Sequence, residues 1–289
     1  MFSFKNLFNF IQPMCTASLS RGVRSGSKDV CRSSKKKHRK YYVYKIKNKK
    51  FVITGAAEGI GYEMSRAYLK KGAGVVVMLD NQEELGCKTL KKLQKKYGEK
   101  RVEFMKCDVV NDLEYVYCEI LNKHKTVDVL VNNAGILDDH QPRKTIDINI
   151  TGSVEFGLKF WHHMRKDKGG KGGTIINLSS IYGFRVHPYF PVYQCTKFAI
   201  MGFTKTLGHP SNYRKSGVRV VCINPGFTKT KLVADPNAFE YQNEVKGFVS
   251  KQDWQPLKAL GRCAIEVYER APTGTAWLTE GDRLISRVF

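Results

Sequence analysis

The stretch KFVITGAAEGIG, residues 50–61, decides the fold. Residues 50–54 form a short apolar, β-rich run, which reads as a buried strand. Glycines 55, 59 and 61 follow at once, and a helical pattern runs from about Gly59 to Lys71. Glycines are needed where a chain turns sharply and where backbone must approach a pyrophosphate closely. A helix starting there aims its free N–H groups and positive dipole end at the same point. A tight turn that only packs a helix on a sheet has the same composition. The strand-to-helix context is what favours phosphate binding.

Working outward, strand and helix signals alternate. Strands are predicted at 74–79, 101–106, 127–131, 174–179, 218–223 and 275–279. Helices are predicted at 82–97, 111–125, 142–166 and 192–213. The pattern implies βαβ units and an α/β fold: a single Rossmann-type doubly wound parallel sheet with helices on both faces. One domain over 48–289 accommodates it. The second strand ends in Asp80, nineteen residues beyond Gly61. A carboxylate there can accept hydrogen bonds from adenosine ribose hydroxyls and repels the extra phosphate of NADP. Glu58 in the glycine turn adds to the repulsion, and no Lys or Arg adjoins Asp80. The expected cofactor is NAD.

The net charge of +23 suggests a nucleic-acid partner until it is localised. Residues 1–50 hold fourteen Lys and Arg against one acid, Asp29, leaving +10 on the other 239 residues. Within that front, Phe4, Leu7, Phe8 and Ile11 fall at helical spacing before a Ser/Arg-rich, acid-poor stretch. That is the composition of a mitochondrial transit peptide. The run KKKHRK at 35–40 could be a nuclear address or a phosphate-binding patch. A disordered, solvated leader over 1–47 is the plainest reading. A cytoplasmic protein is expected, with mitochondria the alternative should residues 1 to about 30 be a transit peptide. The eight cysteines show no C-x-x-C and no Cys/His spacing for a metal, so no metal site is expected and a reduced compartment is favoured. No run of about 18 apolar residues marks a membrane span.

Tyr193 and Lys197 lie four apart, with Ser180 thirteen before the tyrosine. Singly, each has a plain reading: a helix-start aromatic, a solvated lysine, a strand-end serine. Together with the glycine turn, they make the sequence resemble the short-chain dehydrogenase/reductase family over about residues 48–280. Several matched segments carry the resemblance: Thr54, Gly55, Gly59, Ile60 and Gly61 in the turn; Asp80; Asp108-Val109; and Asn132-Asn133-Ala134-Gly135. Asn149, Ser180, the Tyr193–Lys197 pair and NPGFTKT at 224–230 complete the series, with Pro225, Gly226 and Thr228 in that last segment. GILDDHQPRKTIDINITG and PTGTAWLTEGDRL resemble the branch holding hydroxyprostaglandin dehydrogenase and the zinc-free alcohol dehydrogenases.

The resemblance implies that Asn149, Ser180, Tyr193 and Lys197 are catalytic, and that the other matched residues, Asn133 to Gly135 included, bind the cofactor with Tyr193 and Lys197. The cofactor takes a hydride from an alcohol carbon; the protein must take the proton. Tyrosine ordinarily ionises near 10, and lowering that by about three units needs roughly 4 kcal/mol. Lys197, one turn along the same helix face, is placed to contribute as a cation. Ser180 would hold the substrate oxygen, and Asn149 would position Lys197 through a water.

Phe184, Val186, Tyr189, Phe190 and Val192 are expected to border the substrate, with Ser180, Phe190 and Tyr193 touching it. Residues 228–259, with Leu232, Val233, Phe239, Tyr241, Phe248 and Trp254, form a predicted lid. Such a wall suits a small hydrophobic secondary alcohol or ketone. The family implies a homodimer or homotetramer. Two other function classes stay open: a catalytically idle NAD-binding scaffold, and a nucleic-acid-binding protein acting through its basic leader, the less favoured of the two.

Overall fold

The computed structural model describes residues 43–233 and 242–289. The amphipathic stripe and basic run of the leader, and Phe239 and Tyr241 of the lid, lie outside the described residues, as does the Val233 side chain.

The glycine turn sits between β1 (Lys50–Thr54) and α1 (Gly59–Lys70), as its sequence requires. The chain continues through β2 (Val75–Asp80), α2 (Glu83–Tyr97), β3 (Val102–Lys106), α3 (Leu113–His124) and β4 (Val129–Asn132). Next come α4 (Pro142–Ile146), α5 (Ser153–Met164), β5 (Gly173–Leu178), α6 (Pro191–Leu207), α7 (Pro210–Ser216) and β6 (Val218–Pro225). The last elements are α8 (Gln242–Ser250), α9 (Leu257–Arg270), β7 (Thr275–Thr279) and β8 (Ser286–Arg287). The strand order is β3-β2-β1-β4-β5-β6-β7-β8. Strands β1 to β7 pair in parallel; β8 is a two-residue antiparallel edge that the sequence reading did not expect.

Alternation along β1 builds two cores. Phe51 and Ile53 face one side, buried with Met64 and Tyr68 of α1 and Leu260 and Ala264 of α9. Val52 faces the other, with Ile120 of α3 and Phe156 and Phe160 of α5. The chain winds one way from β1 to β3 and the other from β4 to β7, so the order reverses between β1 and β4. A crevice opens beyond the carboxyl ends of strands at such a switch point.

Three differences from the sequence reading have physical causes. The single helix expected over 142–166 runs on to Met164 but widens into a π turn at Asp147–Gly152. Asn149, in that turn, spends its side chain on the backbone of Ile136. The helix expected over 192–213 stops at Leu207, since Pro210 cannot continue the hydrogen-bond ladder. Its C-cap, Gly208, also abuts β6: a Cβ there would lie 2.7 Å from Val220 O. The folded region begins before Asn48, because Ile46 is buried in the core and Tyr44 N–H donates to Glu269 O at 3.0 Å.

Candidate active site

A cleft of about 410 Å³ opens at this switch point. Its floor at one side is the glycine turn, where Gly55 and Gly59 adopt φ of +62° and +58°, the left-handed region that side chains rarely adopt. A Cβ on Gly61 would lie 2.2 Å from Gly55 O, so α1 can begin against this turn only through glycine. Above Gly59 the space stays open, the nearest atom to a Cβ there being Thr230 Cγ2 at 3.7 Å. A cradle of bare backbone at a helix start fits a pyrophosphate. Asp80 ends β2 at the cleft wall, its Oδ2 accepting Ala57 N–H at 2.9 Å and its Oδ1 Gln82 N–H at 3.0 Å. The carboxylate is thereby held in place while each oxygen keeps a lone pair for a ribose hydroxyl. Glu58 pairs with Lys231 at 2.8 Å. Its charge is offset by that pair, whereas the Asp80 carboxylate has no Lys or Arg partner among the described residues.

Two predicted cofactor residues act from beneath the cleft. Thr54 and Gly61 do not line it. Thr54 Oγ1 accepts the N–H groups of Asn133 and Ala134, both at 3.0 Å. Asn133 answers by donating to the carbonyls of Thr54 and Gly55 at 2.9 and 2.8 Å. These four bonds lock the ends of β1 and β4 together at the crevice. Gly55, Gly59, Ile60, Asp108, Val109, Asn133, Ala134, Gly135, Pro225, Gly226 and Thr228 do line the cleft. The Thr228 hydroxyl already bonds Gly226 O and Gln255, at 3.0 and 3.1 Å.

Ser180, Tyr193 and Lys197 also line the cleft and are at most 7 % exposed. Ser180 follows β5, while Tyr193 and Lys197 share a face of α6. Ser180 Oγ accepts Tyr182 N–H at 3.2 Å, leaving its proton to donate, and it hydrogen-bonds the Tyr193 hydroxyl. Lys197 Nζ lies 5.4 Å from the Tyr193 ring centre and donates to Leu178 O at 3.1 Å. Burial pushes the Tyr193 hydroxyl up to about 12, against the acidifying bond to Ser180. That corrects the expectation of a starting point near 10. Burial also pulls the Lys197 ammonium down to about 8. Both shifts share one cause: charge in a dry pocket is costly.

Asn149 stands apart from the cleft. Its Oδ1 accepts Ile136 N–H at 2.8 Å, and its Nδ2 donates to Ile136 O at 2.9 Å and to Thr196 Oγ1 at 3.1 Å. It reaches the site through backbone. A Cβ on Gly135 would come within 3.1 Å of Asn149 Oδ1 and 3.5 Å of Lys197 Nζ, so glycine lets the three groups converge.

The remaining wall is apolar, formed by Leu137, Ile181, Tyr182, Phe190, Phe227 and Leu232. Of the expected border residues only Phe190 lines it. Val186 is 85 % exposed, and Phe184 packs against a separate cluster with Ile200 and Met201. Phe248 of α8 and Trp254 pack behind the wall, Phe248 stacking on His187 at 3.7 Å and Trp254 meeting Phe227 edge-on at 5.5 Å. Thr230, in the NPGFTKT segment, and Lys231, within the predicted lid, also line the cleft, whereas Asn81 and Gln82 beside Asp80 were missed by sequence reasoning. The loop following NPGF brings the first pair back over the glycine turn, a return that has no local signature.

Residues 49–240 match the short chain dehydrogenase family. The chain belongs to that family. This short-chain dehydrogenase is an oxidoreductase acting on CH–OH groups. It is 35 % identical over 190 residues to rat (Rattus norvegicus) 15-hydroxyprostaglandin dehydrogenase [NAD(+)], covering 65 % of this chain and 71 % of that one. It is 28 % identical over 239 residues to alcohol dehydrogenase 1 of Ceratitis cosyra, covering 81 % and 92 %. In fold it resembles the 3-ketoacyl-(acyl-carrier-protein) reductase of Brucella melitensis complexed with NADH: TM-score 0.69, 23 % identity, 82 % and 98 % covered. Among the described residues no helix is long and apolar enough to cross a membrane.

Proposed function

We propose that this chain is an NAD-dependent dehydrogenase interconverting a hydrophobic secondary alcohol and its ketone, with Tyr193 as the acid/base. The observation that carries the reading is the convergence of Ser180, Tyr193 and Lys197 in the same cleft as the glycine turn and Asp80. A nicotinamide dinucleotide bound there supplies the hydride acceptor and a positive charge beside the tyrosine. Ser180 donates to the substrate oxygen, and Tyr193 Oη receives the alcohol proton during oxidation or returns it during reduction. The proton requires help: moving the hydroxyl from about 12 to near 7 takes about 7 kcal/mol at 1.36 per unit. The Lys197 ammonium, 5.4 Å from the Tyr193 ring centre, favours the phenolate as a nearby cation. The Ser180 bond is already included in the value of about 12, so the shift falls to Lys197 and to the charge a bound cofactor would bring.

Asp80 supports NAD over NADP. The apolar wall around Phe190 and Phe227 supports a hydrophobic substrate, as do relatives named as prostaglandin and alcohol dehydrogenases. Leu158 on α5 and Phe198 on α6, exposed to 38 % and 43 %, suit a homodimer or homotetramer through these helices. The proposed compartment is the cytoplasm. The test is NADH formation with secondary alcohols from isopropanol to cyclohexanol, repeated with NADP. Turnover with NAD that improves with apolar bulk is expected; a preference for NADP, or for charged alcohols, contradicts the reading.

A further inference from the structure

The catalytic helix begins without a cap of its own. Its N-cap is Phe190, which offers no side-chain acceptor, and Pro191 follows at the first helical position. The N–H groups of Val192 and Tyr193 are then orphans in the first turn, where a buried donor without a partner costs stability. They are satisfied from another segment. Asp139, in the loop after β4, accepts Tyr193 N–H on Oδ1 at 3.0 Å and Val192 N–H on Oδ2 at 3.2 Å.

The bonds close a ring around the reactive tyrosine. Tyr193 O accepts from Thr196 Oγ1 at 2.7 Å, and Thr196 Oγ1 accepts from Asn149 at 3.1 Å. Asn149 grips Ile136 through both N–H and C=O, three residues before Asp139. Asp139 then returns to Tyr193 N–H. The backbone of Tyr193 is thus held on its donor side by Asp139 and on its acceptor side by Thr196. We propose that Asp139 is a positioning residue for the reaction, a carboxylate that sets the catalytic tyrosine against the cofactor loop by capping its helix from across the chain. The proposal rests on Tyr193 being the acid/base. Both oxygens are engaged, so neither a hydroxyl nor an amide at 139 can do the same work: an amide accepts on one atom and turns its NH₂ toward the other donor.

The test compares wild type, Asp139→Asn, Asp139→Ala and Tyr193→Phe, each full length. The measurements are NADH formation from cyclohexanol at saturating NAD, NAD affinity by fluorescence quenching, and amide exchange of the segment 190–197. For Asp139→Ala, kcat should fall by about tenfold to a hundredfold, as sub-ångström misplacement of a reacting group does. Its NAD affinity should stay within about twofold, a kcat-only signature. Exchange at Val192 and Tyr193 should rise. The near-isosteric Asp139→Asn should fall between Ala and wild type, and it keeps the test open if Ala folds poorly. Two results overturn the proposal: kcat within about twofold of wild type in Asp139→Asn, or losses of kcat and NAD affinity in equal proportion. Retained turnover in Tyr193→Phe would overturn the acid/base assignment itself, which is a separate failure.

Discussion

At the residue scale, the site works by placing ionisable groups where water cannot reach them. Lys197 is the clearest case, because its cost can be read without any substrate. Its ammonium ionises near 8 in the folded chain against an ordinary 10.5. Between those values the unfolded chain holds the extra proton, so stability rises with pH across that window. Below pH 8 the full penalty, on the order of 3 kcal/mol, is present. Lys197→Met should therefore raise the thermal midpoint of the unliganded protein near pH 7. The gain should shrink as pH climbs from 8 to 10 in calorimetric scans; parallel curves for the two proteins would contradict it. Asp80 makes a different prediction. With Lys231 engaged by Glu58, Asp80 is the fixed charge at the cleft wall where the proposed NAD would place its ribose. Asp80→Ala should shift the NAD-to-NADP ratio of kcat/KM toward NADP by at least about tenfold, since one uncompensated charge contact is worth more than 1.4 kcal/mol in a cleft. An unchanged ratio in steady-state assays would place the discrimination elsewhere.

At the element scale, the glycine turn was legible from its spacing because only bare backbone fits there. Gly61→Ala should be the test: a Cβ 2.2 Å from Gly55 O must push α1 off the turn. Loss of NAD binding and a clear drop in thermal midpoint are expected, whereas normal binding would mean that the turn can relax. Strands β1 to β7 were legible too, each as a short apolar run within about two residues of its observed bounds, whereas the two-residue β8 was not. Helix interruptions were not. The π turn at Asp147–Gly152 follows from a tertiary bond between Asn149 and Ile136, which no periodicity reports. Helix α9 (Leu257–Arg270), absent from the predicted elements, has an apolar face of Leu260, Ala264 and Val267 that is as regular as that of α1. Asp139 was invisible for the same reason as Asn149's partner. Its role is long-range, joining residues fifty-four apart.

At the scale of the whole molecule, the fold and the gathering of most proposed site residues in one cleft were readable, because those residues sit just past strand ends or on one face of α6. What escaped were contacts made by returning loops, such as Lys231 on Glu58. Among the described residues, those lining the cleft fall between Gly55 and Leu232. A chain beginning at residue 41 should keep the full rate of NADH formation. A large loss on that truncation would assign the front a part in catalysis. The most direct measurement of the central claim is NADH formation from NAD and a hydrophobic secondary alcohol by wild type and Tyr193→Phe, with NAD affinity measured on both. The account predicts turnover in the wild type, a loss of about a hundredfold to ten-thousandfold in kcat for the variant, and NAD affinity nearly unchanged. A variant that turns over like wild type would contradict it.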